Sequence, residues 1–168
     1  MKTLFKTIFA AVAAAGAAAS MAAPPNFTTD LDAAIAKAKA RDKIVLACFS
    51  GSDWCIWCKR LDGEVLSRPE FAQATNDFEL AFIDITMDPP ATEKNLALMK
   101  QYKVRGFPTV LLLDGDGRTL ESTGYRKGGP KAYLEHLSAL KAGIKARSAE
   151  RGKENPPQSA SGESGVAK

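Results

Sequence analysis

Two cysteines, Cys55 and Cys58, stand two residues apart in the stretch SGSDWCIWCKRL, residues 50–61, with Trp54 and Trp57 beside them. A pair at this spacing closes a small ring through a disulfide. It reopens by thiol–disulfide exchange, in which a thiolate attacks a sulfur through a mixed-disulfide intermediate. The same sulfurs could instead form half of a metal site or a structural staple. A structural zinc site takes four ligands, whereas the chain offers one further cysteine, Cys48, and a single histidine, His136, far along the sequence. His136 reads as a solvated or half-buried helix residue rather than a ligand. Copper(I) needs only soft ligands, with Met87 and Met99 as the nearest candidates to assist, so a copper(I) carrier stands as an alternative. Exchange chemistry itself calls for no cofactor and no metal.

The elements around the pair favour exchange. KIVLACF, residues 43–49, is a continuous apolar run with β-branched members, the pattern of a buried strand. GSD breaks it, and a helix is expected from Trp54 or Cys55 through CKRLDGEVL, despite Gly63. Cys55 therefore falls between a strand and a helix start, where unpaired N–H groups and the positive dipole end favour a thiolate. The thiolate is the nucleophile in exchange. Cys58 falls about one helical turn later and further inward, placed to resolve a mixed disulfide formed on Cys55. Asp53 would raise the Cys55 pKa and Lys59 would lower it. The flanking tryptophans suggest an exposed, recognisable thiol.

The remaining elements follow from period and punctuation. FTTDLDAAIAKAKARDK reads as a helix capped by Thr29 or Asp30, with Leu31, Ala34, Ile35 and Ala38 on its apolar stripe. SRPEF restarts a helix with Ser67 as cap and Pro69 in the first turn. FELAFIDIT (78–86) is a second strand, and DPPATEKNLALMKQY a loop and a helix. GFPTVLLLD (106–114) is a third strand, joined through the turn DGDG to a fourth, RTLESTG. GGPKAYLEHLSALKAGIKA is the last helix, with Tyr133, Leu134, Leu137 and Leu140 on its apolar side. The first two strands should be parallel, joined by a right-handed crossover, and the last two an antiparallel hairpin. Helices should cover both faces of this mixed, four-stranded α/β sheet.

Both ends differ from the middle. Residues 1–23 carry Lys2 and Lys6, then an apolar, alanine-rich run, then small residues before Pro24. This is the shape of a secretory signal peptide cleaved near Ala22 or Ala23, and the run is short for a membrane span. The expected location is periplasmic or secreted, an oxidising setting in which disulfides persist. Three cysteines leave one thiol over and cannot staple a small scaffold, so residues 24–145 must cohere through their own core. Residues 146–168 read as a disordered polar tail. The formal charge of +4 becomes +2 without Lys2 and Lys6, with acids and bases interleaved. That is no footprint for nucleic acid, and a monomer is expected.

DWCIWCK, followed about fifty residues later by VRGFPTVLLLD, resembles the thioredoxin superfamily over roughly residues 30–142. GSDWCIWCKRLDGEVLSRPEF is most similar to exported thioredoxin-like proteins and to the C-terminal domains of thiol:disulfide interchange proteins. The resemblance implies the thioredoxin fold, with Cys55 as attacking and Cys58 as resolving thiol. Trp54 would be the aromatic platform. Pro108 would be a cis-proline lying against the pair and leaving the backbone of Phe107 open to an extended substrate. Trp57, apart from the resemblance, reads either as a further partner-facing, substrate-binding residue or as a ring folded over the pair. The partners implied are protein thiols and disulfides, with a membrane electron donor supplying reductant. Two departures stand out. Cys48 occupies the place of the family's buried aspartate, and Phe82 that of a nearby lysine, so the usual proton relay is missing. Cys48 then reads as a buried filler, or alternatively as a second resolving thiol. The absence of a large helical insertion between strands two and three favours a reductase or electron carrier over a disulfide oxidase or isomerase; a non-catalytic thioredoxin-like binding module stands beside the copper(I) carrier as the other alternative.

Overall fold

The computed structural model describes residues 23–154. The segment read as a signal peptide, apart from its last residue, and residues 155–168 of the polar tail lie outside the described residues. Four strands form one mixed sheet in the order β2-β1-β3-β4. They are β1 (Ile44–Ser50), β2 (Phe78–Asp84), β3 (Thr109–Leu113) and β4 (Thr119–Thr123). β1 pairs with β2 in parallel and with β3 antiparallel, and β3 with β4 antiparallel.

The apolar run of β1 has no polar face because it lies mid-sheet with helices on both sides. Leu46 and Cys48 point to one core and Val45, Ala47 and Phe49 to the other, the alternation that a pleated strand imposes. On the first side pack α2 (Ile56–Leu61), a π-helical turn over Asp62–Leu66, α3 (Pro69–Ala74) and α5 (Gly129–Glu154), burying Leu61, Val65, Phe71, Tyr133 and Leu137. On the second side lie α1 (Leu31–Arg41) and α4 (Glu93–Gln101), burying Leu31, Ala34, Ala38 and Leu98. Truncating a fully buried leucine such as Leu46 in a core of this kind costs about 2–5 kcal/mol.

Cys48 sits in mid-strand, opposite Phe82 on one neighbour and Val110 on the other. It is 1% exposed, the setting of an apolar filler.

Local chemistry shifts several boundaries. Asp30 is the α1 cap, its Oδ1 accepting from the N–H groups of Asp32 and Ala33. The helix expected from Cys55 to Leu66 is α-helical only to Leu61. It then widens to π, the Ser67 N–H bonding back to the Asp62 carbonyl at 2.9 Å. Ser67 does not cap α3. Its hydroxyl donates to the Asp62 carboxylate, and the α3 cap is Arg68, which makes no side-chain bond. The second strand stops at Asp84 and the third starts at Thr109, because Pro108 has no N–H to give a ladder.

The largest difference is at the C-terminus. Helix α5 runs on to Glu154, so residues 146–154, read as disordered tail, are helical. Ala149, Glu150, Arg151 and Lys153 are good helix formers. Extending a helix already anchored by Tyr133, Leu137 and Ile144 requires no new nucleus. Among the described residues no helix is long and apolar enough to cross a membrane.

Candidate active site

The C-terminal ends of β1 and β2 and the N-terminal end of β3 meet at one edge of the sheet. Ile85 N–H donates to the Ser50 carbonyl at 2.7 Å, and Phe49 stands opposite Thr109. The chain leaves β1 through Gly51, and Cys55 N–H returns to the Gly51 carbonyl at 2.8 Å, closing a turn that delivers Cys55 to the start of α2. Cys55 is the N-cap itself, with extended backbone and its sulfur accepting from Cys58 N–H at 3.2 Å. Cys55 and Cys58 are joined as a disulfide with Cα atoms 5.2 Å apart, in the range usual for a bridged pair. Gly51 N–H points at Cys58 Sγ at 3.4 Å. Cys55 is 6% exposed and Cys58 2%, so the pair is more covered than the flanking tryptophans suggested, with Cys58 the deeper.

What is exposed is the rim. Ile56 is 62% and Trp57 47% exposed, and Trp54 and Met87 are exposed too. Trp54 is held rather than loose. Its Nε1–H donates to the Ile85 carbonyl at 2.8 Å, and its ring meets Phe107 edge-on at 5.4 Å. Phe107 precedes Pro108 through a cis peptide bond, and Asp88–Pro89 is also cis. Pro108 is half-buried, and its carbonyl lies close under Gly124, where a Cβ would stand 2.9 Å from it. Trp57 makes separate contacts, its ring tilted against Tyr125 at 5.4 Å with Arg60 over its face. The structure thus brings Trp54, Phe107 and Pro108 together on one flank of the pair and sets Trp57 on another.

Neither charged neighbour singled out in the sequence is committed to the sulfurs. Burial works to raise the Asp53 pKa. The N–H groups of Asp88 and Met87, at 2.9 and 2.8 Å from its Oδ2, outweigh it and hold the carboxyl below its ordinary value. Lys59 Nζ donates to the Asp53 carbonyl at 2.8 Å. Both therefore fasten the loop before Cys55. Burial pushes the Cys48 thiol far above its ordinary value, with the Asp62 and Asp84 charges adding to the effect.

Several supporting residues are not among those singled out from the sequence. Asp84 receives both the N–H and the hydroxyl of Ser52, pinning the turn ahead of the pair. Asn95 on α4 donates to the Asp84 carbonyl at 2.9 Å. A polar residue ending an apolar strand hints at Asp84. Nothing local marks Tyr125 as a neighbour of Trp57. Among the described residues no group of three or more His, Cys, Asp or Glu could hold a metal ion.

Comparison with known proteins places this geometry. The family model described as a thioredoxin-like domain matches residues 31–140. A disulfide bond reductase DsbH of Chlamydia pneumoniae is 34% identical over 114 residues, 64% of this chain and 69% of that protein. A thiol:disulfide interchange protein DsbD of Cronobacter sakazakii is 32% identical over 111 residues, covering 64% of this chain but 18% of that longer protein. Among solved structures, a DsbH oxidoreductase superposes with a TM-score of 0.61 at 29% identity, covering 70% of this chain and 85% of its own. The DsbD C-terminal domain of Neisseria meningitidis in its oxidised form gives 0.52 at 30% identity, covering 68% and 98%.

Proposed function

This chain belongs to the thioredoxin-like family, and from that premise we propose that it is an exported thiol–disulfide oxidoreductase that acts on protein partners, as a reductase or electron carrier. The observation that carries the reading is the Cys55–Cys58 disulfide at the N-cap of α2, ringed by exposed apolar side chains. The relatives named for disulfide reduction and interchange support it. The direction of electron flow is supported by the short β2-to-β3 connection, which holds the single nine-residue helix α4.

In the reduced protein the Cys55 thiolate attacks one sulfur of a substrate disulfide. The substrate S–S bond breaks, a new S–S bond forms to Cys55, and the departing substrate sulfur takes up a proton. Cys58, having lost its proton, then attacks the Cys55 sulfur and expels the second substrate thiolate. Two electrons have passed to the substrate, and the protein is left with the Cys55–Cys58 disulfide. A dithiol on another protein, for an exported chain one fed by a membrane electron donor, reverses these steps and restores the reduced pair.

Trp54, Phe107 and Pro108 form the substrate-binding flank in this reading. Among the described residues no backbone hydrogen bond engages Phe107, so its amide is open to pair with an extended segment. Lys2, Lys6, the apolar run and the small residues before Pro24 support export to the periplasm or beyond. The protein works as a monomer.

The test is the redox equilibrium of the pair against glutathione, followed by tryptophan fluorescence, in a Cys48→Ala background. A potential near about −270 mV, the thioredoxin value, is expected. One near about −120 mV marks an oxidant and reverses the direction. If no two-electron transition appears, the exchange reading fails.

A further inference from the structure

Trp57 is not needed to build the disulfide, yet its surroundings are ordered. Its ring packs against Tyr125 at 5.4 Å, tilted by 38°, and the Arg60 guanidinium lies 5.0 Å from its centroid. The Tyr125 hydroxyl donates to Glu64 Oε2 at 2.7 Å. A Cβ on Gly129 would stand 4.0 Å from the Glu64 carbonyl, so the loop carrying Arg126 and Lys127 lies against the same turn. Arg60, Arg126 and Lys127 are exposed, and among the described residues none pairs with a carboxylate. Glu64, the acid within this group, accepts from the Tyr125 hydroxyl and keeps its charge, so three cations stand against one carboxylate.

A half-exposed tryptophan clamped between an aromatic ring and an arginine has the character of an interface anchor: rigid, apolar and wet at one edge. Unpaired cations around such an anchor select a partner of opposite charge. Trp57 also follows Cys55 by two residues, and its exposed ring borders the approach to that sulfur.

We propose that the Trp57–Tyr125 pair with Arg60, bordered by the loop that carries Arg126 and Lys127, is a docking flank for the cysteine-bearing segment of the partner protein, and that it favours segments with Asp or Glu beside the cysteine. The inference rests on the exchange reading above and adds specificity to it. The Trp54–Phe107–Pro108 flank offers backbone pairing, and the Trp57 flank reads charge.

The experiment uses the pre-reduced protein and two synthetic disulfide peptides, identical except for Glu or Lys beside the cysteines. Hydroxyethyl disulfide serves as an uncharged substrate. At about 0.01 M ionic strength the Glu peptide is reduced with a kcat/KM roughly threefold or more above the Lys peptide, and the difference shrinks at about 1 M, where screening is short-ranged. Arg60→Glu abolishes or reverses the preference, and Arg60→Lys keeps it. Lys141→Gln removes a positive charge paired with Asp77, at the opposite end of the sheet from the cysteines, and leaves the preference intact. Equal rates for the two peptides overturn the inference. So does a preference lost as much in Lys141→Gln as in Arg60→Glu, which would reduce it to net charge. If hydroxyethyl disulfide itself is not reduced, the exchange reading falls and takes this inference with it; its reduction without any peptide preference sinks the docking flank alone.

Discussion

Gly51 and Trp54 share one space: a Cβ on residue 51 would stand 2.4 Å from Trp54 Cε2. The indole lies where any other residue would place its side chain, and its hydrogen bond to Ile85 and its contact with Phe107 prevent an easy retreat. A glycine here is a steric condition for the aromatic platform beside the disulfide.

Gly51→Ala is therefore expected to displace the indole. Overpacking of this kind costs about 1–3 kcal/mol, and part should return in the double variant with Trp54→Ala, because the clash is then gone. Urea denaturation of the four members of the cycle measures the coupling. Additive losses would mean that the loop, not the indole, absorbs the alanine.

Cys48 and Tyr133 predict an alkaline limit. Burial raises both groups above their ordinary values of 9.0 and 10.0. The folded protein keeps the protons that the unfolded chain gives up, so the stabilisation is complete below the unfolded values and is lost as pH rises through them toward the folded ones. Stability should fall from about pH 9 upward, by at most about 1.4 kcal/mol per pH unit for each group. Cys48→Ala should move the onset toward pH 10. Denaturant midpoints between pH 7 and 11 test this, and an unchanged onset would show that Cys48 does not contribute.

The Tyr133 hydroxyl is buried with no hydrogen-bond partner among the described residues. An unpaired buried hydroxyl is a cost, so Tyr133→Phe should be neutral or stabilising by up to about 1 kcal/mol. Thermal denaturation at pH 7 reads it. A loss of more than that would mean that the hydroxyl is bonded in solution, by water.

Asp53 ties the loop at Met87 and Asp88 to the turn before Cys55. Its carboxyl is held below the ordinary value of 3.8, so this anchor is fully present above that pH and is lost as pH falls through the folded value. Hydrogen exchange at the Met87 and Asp88 amides should be faster in Asp53→Ala at pH 7, whereas Asp53→Asn, which retains an acceptor, should protect them better. Equal protection in all three proteins would assign the loop's order to other contacts.

Helix α5 buries nothing after Ile144 among its described side chains. A chain ending at Arg147 keeps that contact and the Arg147–Glu121 pair. Its stability should stay within about 0.5 kcal/mol of the full chain, and its disulfide reductase activity should be unchanged. A larger loss would show that the last helical turns dock against the domain.

Much of the fold was legible because its signals are local. β1 is a run of apolar residues because it is covered on both faces, and the strand-to-helix junction at Cys55 can be read from the break at Gly51 to Asp53. Cys55 and Cys58 were visible as a pair because three residues of helix suffice to bring them together. Asp30 as a cap and Pro69 at the start of α3 are local rules as well. The length of α5 was misread on a local signal too, since polar composition resembles disorder when the anchoring core upstream is not yet known.

The sequence by itself thus determined the chemistry: two thiols in exchange geometry at a helix start, on a sheet of mixed direction. Tertiary structure decided the surroundings. It set Trp57 against Tyr125, Asp53 against Met87 and Asp88, and Cys48 between Phe82 and Val110. Each of these joins residues far apart in the chain, and which of them meet depends on strand order, register and the widening of the helix after Leu61. A helical hydrogen bond or a cap needs only near neighbours, whereas a flank that recognises a partner is made only when distant segments pack against one another.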